Sequence, residues 1–194
     1  MSMTTRPPYI VGLGGSLRER SFSRAATREA LRIAEAKSVS TELLDLRELN
    51  LPMFTPKWKP EDYPAIHHAG IVQLLTACRR ADALLWVSPT YHGTVSGLFK
   101  NALDFMELLA DDDPPYLQGK VVGLIAVSDP LTFGAMKNSA HELRAWLAPT
   151  HITLDQREDF NEDLTLKEGR AQRRVARLLD ELIEFASHRA AQRP

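Results

Sequence analysis

Apolar and polar positions alternate along the chain in two distinct rhythms. Short apolar runs occupy 9–13 (YIVGL), 83–88 (ALLWVS) and 120–127 (KVVGLIAV), each of strand length and near-continuous, as a strand buried on both faces requires. A weaker, alternating run at 40–46 and a short one at 151–154 read as two more strands. Between them lie helix-length stretches. In 21–37 the apolar positions Ala26, Ala30, Ile33 and Ala34 recur at helical spacing. Similar stretches cover 66–80, 97–109, 135–147 and a charge-rich 166–188. One segment fits neither rhythm: 47–64, RELNLPMFTPKWKPEDYP, has prolines at 52, 56, 60 and 64. Prolines at that spacing allow no helix, so a long irregular loop is predicted. Strand and helix thus alternate five times. That pattern predicts an α/β domain with a parallel sheet covered on both faces.

Five strands joined by right-handed crossovers leave few topologies. The order 2-1-3-4-5, the flavodoxin-like three-layer sandwich, is the one expected. No repeat and no second domain is visible, so 1–194 reads as a single domain with flexible tails at 1–7 and 189–194. Composition narrows the function. With 24 basic and 25 acidic side chains, the net charge of −1 offers no excess to attract nucleic acid or an anionic membrane. The single cysteine, Cys78, rules out an intrachain disulfide and suits a reducing compartment; a buried, structural thiol is expected. MSMTTRPP lacks the apolar core of a signal peptide, and no run is long enough to cross a bilayer. A cytoplasmic protein is expected. His67 and His68 are adjacent and fall on different helix faces, so no metal site is predicted.

The chemistry concentrates in residues 12–24, GLGGSLRERSFSR. They follow the first strand, at the sheet edge where ligands of doubly wound folds bind. Gly12, Gly14 and Gly15 read as residues that let the backbone turn and approach a ligand. The next helix offers free N–H groups and its positive end. Ser16 and Ser21 add hydroxyls, and Arg18 a charged fork suited to phosphate. The loop is not a dinucleotide fingerprint, because Leu17 stands at the sixth position of G-x-G-x-x-G. It lacks the lysine of a P-loop, and Arg18 replaces the glycine of a nucleophile elbow. A cradle for a terminal phosphate, such as that of FMN, remains.

A second constellation follows the third strand: SPTYHGTVSGLFKNALDF, 88–105. Pro89 reads as the start of a turn, and the Tyr-His-Gly loop can wall a flat ring. The helix after it is apolar on several faces (Leu98, Phe99, Ala102, Leu103, Phe105, Met106), which suggests a subunit interface.

Together, GSLRERSFSR and PTYHGTVSGLFKNALD resemble the NADPH-dependent FMN reductase family, over about residues 8–185. The resemblance implies a flavodoxin-like fold, non-covalent FMN, NADPH or NADH as hydride donor, and a homodimer or homotetramer. It assigns the phosphate to Ser16, Arg18, Ser21 and Ser23, and the ring to Pro89, Thr90, Tyr91, His92 and Gly93. It also implies a third loop, after the fourth strand, usually S-P-G-G-x-G. Here that loop is Ser128-Asp129-Pro130-Leu131-Thr132-Phe133-Gly134, of which Ser128 and Gly134 carry over. A carboxylate at Asp129 close to the ring would lower its potential. His92 could donate a proton, although shaping the ring wall is the simpler role. Trp58 and Tyr63 either cover a ring in a neighbouring subunit or pack their own loop, and Asp45 reads as a surface residue.

The resulting expectation is an FMN-dependent oxidoreductase. It passes hydride from NAD(P)H through FMN to a small acceptor: free flavin, a quinone or an azo compound. Three alternatives stay open: an FMN-dependent dehydrogenase of one metabolite, a flavodoxin-type electron carrier, and a module binding some other phosphate.

Overall fold

Every continuous apolar run becomes a strand of one sheet in the computed structural model, which describes residues 6–191. The strands are β1 (Tyr9–Gly14), β2 (Ser40–Asp45), β3 (Ala83–Tyr91), β4 (Thr94–Val95), β5 (Val121–Val127) and β6 (Trp146–Leu154). The helices are α1 (Phe22–Glu35), α2 (His68–Arg80), α3 (Gly97–Asp104), α4 (Thr132–Glu142) and α5 (Arg170–Ala191). Five strands run parallel in the order β2-β1-β3-β5-β6, and β4 pairs antiparallel with β3. Apart from that short β4, this is the predicted flavodoxin-like order.

Alternate side chains of the central strands feed two cores. On one face Val11, Leu84, Trp86 and Leu124 meet Leu74 of α2, Phe99 of α3 and Met136 of α4. On the other, Ile10, Leu85, Ile125 and Ile152 meet Ala26 and Ala30 of α1 and Val175 and Leu179 of α5.

The structure corrects several expected boundaries. β3 does not stop at Ser88; it passes through Pro89 to Tyr91 because Thr90 and Tyr91 pair with Val95 and Thr94. The turn falls at His92 and Gly93, with φ of 51° and 80°. β6 begins at Trp146, since an edge strand tolerates Pro149 in its middle. α4 ends at Glu142 because Arg144 takes a left-handed conformation, φ 60°, without the glycine that would signal it. The helix predicted over 97–109 tightens into a 3₁₀ turn at Phe105–Leu109. Its apolar residues do not form an exposed face: Phe99, Phe105, Met106 and Leu109 are fully buried within this chain.

The proline-rich loop is tied down by its own chain. Asn101 donates to Pro52 O at 2.7 Å and accepts from Phe54 N at 2.9 Å. Tyr63 is buried between Trp58 and Phe105, with ring centroids 5.1 and 5.4 Å away. Trp58 and Tyr63 therefore pack their own loop. His67 and His68 pin the same region through Asn50 O and Tyr63 O. Of the expected tails, 1–5 and 192–194 lie outside the described residues. Arg6 is ion-paired with Asp82 at 2.7 Å, and 189–191 continue α5.

Candidate functional site

Three loops meet beyond the C-terminal ends of β1, β3 and β5. Residues 15–21 connect β1 to α1, the hairpin extends β3, and 128–131 connect β5 to α4. They enclose a cavity of about 260 Å³.

The β1–α1 loop supplies Ser16, Arg18, Arg20, Ser21, Phe22 and Ser23 to the lining. Ser21 is the N-cap of α1, its Oγ accepting from Arg24 N at 3.2 Å. That cap leaves the first N–H groups of α1 outside the helical ladder, as at any helix start. Ser21 Oγ lies 3.1 Å from Ser23 Oγ, and Ser23 donates to Gly15 O at 3.4 Å. Ser16 Oγ accepts from Arg18 N at 3.2 Å and so shapes the loop. The Arg18 guanidinium is exposed and has no hydrogen-bond or ion-pair partner among the described residues. Arg20 bonds to the backbone carbonyl of Glu162, which leaves its charge uncompensated.

Gly12 and Gly14 do not turn the chain, contrary to the expectation. Both lie in β1. A Cβ on Gly12 would sit 2.6 Å from Thr27 Cγ2, and one on Gly14 2.6 Å from Thr27 Oγ1. Their bareness lets α1 approach the sheet closely. Leu17, at the position where a dinucleotide loop has its third glycine, is 68% exposed and takes no part in that packing.

The hairpin contributes Pro89, Thr90 and Tyr91. Thr90 Oγ1 donates to Asp129 O at 2.7 Å, which locks the hairpin to the β5–α4 loop. Tyr91 lines the cavity and is 39% exposed. His92 and Gly93 form the exposed tip and do not line the cavity. From the third loop Ser128 reaches the lining, whereas Gly134 lies on α4 away from it. Asp129 also stays out: its carboxylate accepts from Leu131 N at 2.8 Å at the start of α4. The carboxylate is therefore not part of the cavity lining. Asp45, read as a surface residue, is ion-paired with Arg24 at 3.0 Å and largely buried.

Of the eleven residues assigned to cofactor binding, eight line one cavity. Sequence reasoning missed four of its lining residues: Arg20, Phe22, Val127 and Gln156. Arg20 was legible two positions after Arg18 in the same loop. Gln156 carried no signal, since only the pairing of β6 with β5 brings it near.

The lining holds two arginines, four serines, a threonine and no carboxylate. With the N-terminus of α1, this donor set fits a phosphate dianion. A cleft of about 510 Å³ at the opposite ends of the strands is larger, but two carboxylates, Asp112 and Asp113, line it, and Arg79 is ion-paired with Asp112 at 2.7 Å. Among the described residues no group of three metal-ligating side chains occurs.

Comparison with known proteins bears on the family and the fold. Residues 8–158 match the family model of NADPH-dependent FMN reductase. The chain is 29% identical over 188 residues to the NADPH-dependent FMN reductase ArsH of Acidithiobacillus ferrooxidans, covering 94% of this chain and 75% of that protein. It is 32% identical over 133 residues to the quinone reductase of Escherichia coli K12, covering 68% and 65% respectively. Among solved structures, FerB, a flavoenzyme NAD(P)H:(acceptor) oxidoreductase from Paracoccus denitrificans, superimposes with a TM-score of 0.73 at 19% identity, over 93% of this chain and 98% of that one. The chain belongs to the NADPH-dependent FMN reductase family.

Proposed function

We propose that the protein is an FMN-dependent NAD(P)H oxidoreductase that delivers reducing equivalents to a small acceptor: free flavin, a quinone or an azo compound. The cavity carries this reading. Arginines and hydroxyls converge on a helix N-terminus with no carboxylate among the lining residues. Arg18, Ser16, Ser21 and Ser23 would hold the phosphate, and Arg20 adds a second guanidinium. Pro89, Thr90 and Tyr91 would wall the ring, with His92 and Gly93 setting the hairpin that carries them. When bound, FMN supplies the two-electron chemistry, taking hydride from NAD(P)H and passing it on. The protein's part is to anchor the phosphate, orient the ring and leave one face open. Tyr91, Leu17 and Leu131, one on each of the three loops, are exposed and would offer apolar surface to flat acceptors.

The protein acts in the cytoplasm as a homo-oligomer in this reading. No helix of the described residues is long and apolar enough to cross a membrane. Met53, Ile66 and Val72 are 79%, 74% and 53% exposed, apolar surface that a second copy would cover. Sedimentation velocity should find a species heavier than the 21.8 kDa chain; a monomer at micromolar concentration would refute the oligomer.

Anaerobic mixing tests the reaction. The FMN-loaded protein should bleach on addition of NADPH or NADH, and a quinone should restore the colour. Bound FMN that stays oxidised with both nicotinamides would favour a dehydrogenase of one dedicated metabolite.

A further inference from the structure

We propose that Gln156 is a positioning residue for the cofactor, fixing the Ser128 hydroxyl as a hydrogen-bond donor into the cavity. The inference rests on the FMN reading above. Gln156 Nε2 donates to Ser128 Oγ at 2.6 Å, and both residues line the cavity. A hydroxyl has one proton to give. With its oxygen taking the amide hydrogen, that proton is free for an acceptor in the cavity. The backbone N–H of Ser128 is already committed to Leu154 O at 2.9 Å, so the side chain is this residue's remaining donor.

Two further observations support a functional pair. Ser128 has φ 84°, a region that glycine occupies without strain and an L side chain rarely adopts. A side chain kept there against backbone preference calls for a use. Gln156 in turn sits on a stiff turn. The Asp155 carboxylate accepts from Glu158 N at 2.9 Å and Arg157 N at 2.7 Å, and Asp155 N donates to Asp159 at 2.8 Å. The backbone N–H groups of Glu158 and Arg157 hold the Asp155 carboxyl below its ordinary range. No part of this turn could be read as a cofactor motif.

The consequence is electronic. Electron density grows on a flavin's hydrogen-bond acceptor atoms when it is reduced. A donor fixed against one of them would favour the reduced form and raise the midpoint potential. The opposite amide orientation would make Ser128 donate to Gln156 Oε1, turning its proton away from the cavity.

Spectroelectrochemical titration of the FMN-loaded protein separates these cases. Gln156→Leu and Ser128→Ala should each lower the two-electron potential, with about 30 mV for every tenfold loss of preference for reduced over oxidised FMN. The double variant should fall no further than either single one. Ser128→Gly should lower the potential while raising the melting temperature, a combination that a merely structural serine would not give. An unchanged potential in Gln156→Leu with FMN bound, or additive effects in the double variant, would overturn the proposal. Should Gln156→Leu fail to fold, the near-isosteric Gln156→Glu serves: it can only accept from Ser128, so its effect on the potential should shrink in the Ser128→Ala background, whereas a simple charge effect would persist. Wild-type protein that takes up no FMN would overturn the FMN reading itself, and this inference with it.

Discussion

Gly12 shows how a residue can be singled out for the wrong reason. Its place beside the phosphate loop suggests freedom to turn, yet its missing Cβ makes room for Thr27 Cγ2 and Leu31 Cδ1, which would lie 2.6 and 3.0 Å away. Gly12→Ala should therefore destabilise the fold by about 1–3 kcal/mol, the usual cost of overpacking, read by urea denaturation. Thr27→Ser removes the nearer methyl and should recover part of the loss. Failure of that rescue would mean that α1 is not held by this contact. Ser21 is a similar case: it reads as a phosphate ligand and is also the cap that starts α1. Polar residue types in this loop were legible as chemistry, but the structural duties they share with it were not. Those duties depend on where α1 lands on the sheet.

At the scale of elements, the strand–helix alternation was readable because parallel strands buried on both faces must be almost wholly apolar. β1, β3 and β5 announce themselves in this way. What stayed hidden was decided by pairing partners. Pro89 looks like a terminator, but β4 carries the strand past it. The hairpin turn then needs two consecutive positive φ values, at His92 and Gly93. Asparagine tolerates that conformation, and a β-branched residue does not. His92→Asn should keep FMN affinity and the rate of flavin reduction within about twofold, whereas His92→Val should weaken FMN binding severalfold through hairpin strain of about 1–3 kcal/mol. A large rate loss in His92→Asn with intact FMN affinity would instead make His92 a proton donor. Gln156 belongs to the same lesson: β6 lies beside β5, and that adjacency alone places the residue on the cavity.

Over the whole molecule, stability carries a pH signature from the core. Burial, the largest cause, pushes the Cys78 thiol from its ordinary 9.0 up to about 12. Tyr9 shifts upward as well, through burial and its hydrogen bond to Glu42. Above pH 9 the unfolded chain loses the thiol proton while the folded chain keeps it. The unfolded state then binds fewer protons, so stability falls as pH rises. The Cys78 contribution should be fully present below pH 9 and decline between pH 9 and 12. Denaturation midpoints across that window check this. Cys78→Ala should flatten the slope, and a slope unchanged by that variant would contradict the assignment. At neutral pH the native thiol should resist thiol reagents until the protein unfolds.

The central claim is that the cavity between the three loops anchors FMN by its phosphate. The most direct test pairs a change in the ligand with a change in the protein. FMN and riboflavin, which lacks the phosphate, are titrated by flavin fluorescence against the wild-type protein and Arg18→Ala. The account predicts that the wild type binds FMN far more tightly than riboflavin. It also predicts that Arg18→Ala weakens FMN by about 1.5–3 kcal/mol, the range for a charge-assisted hydrogen bond, and leaves riboflavin unchanged. Equal affinity for the two flavins, or an equal loss for both in Arg18→Ala, would contradict it.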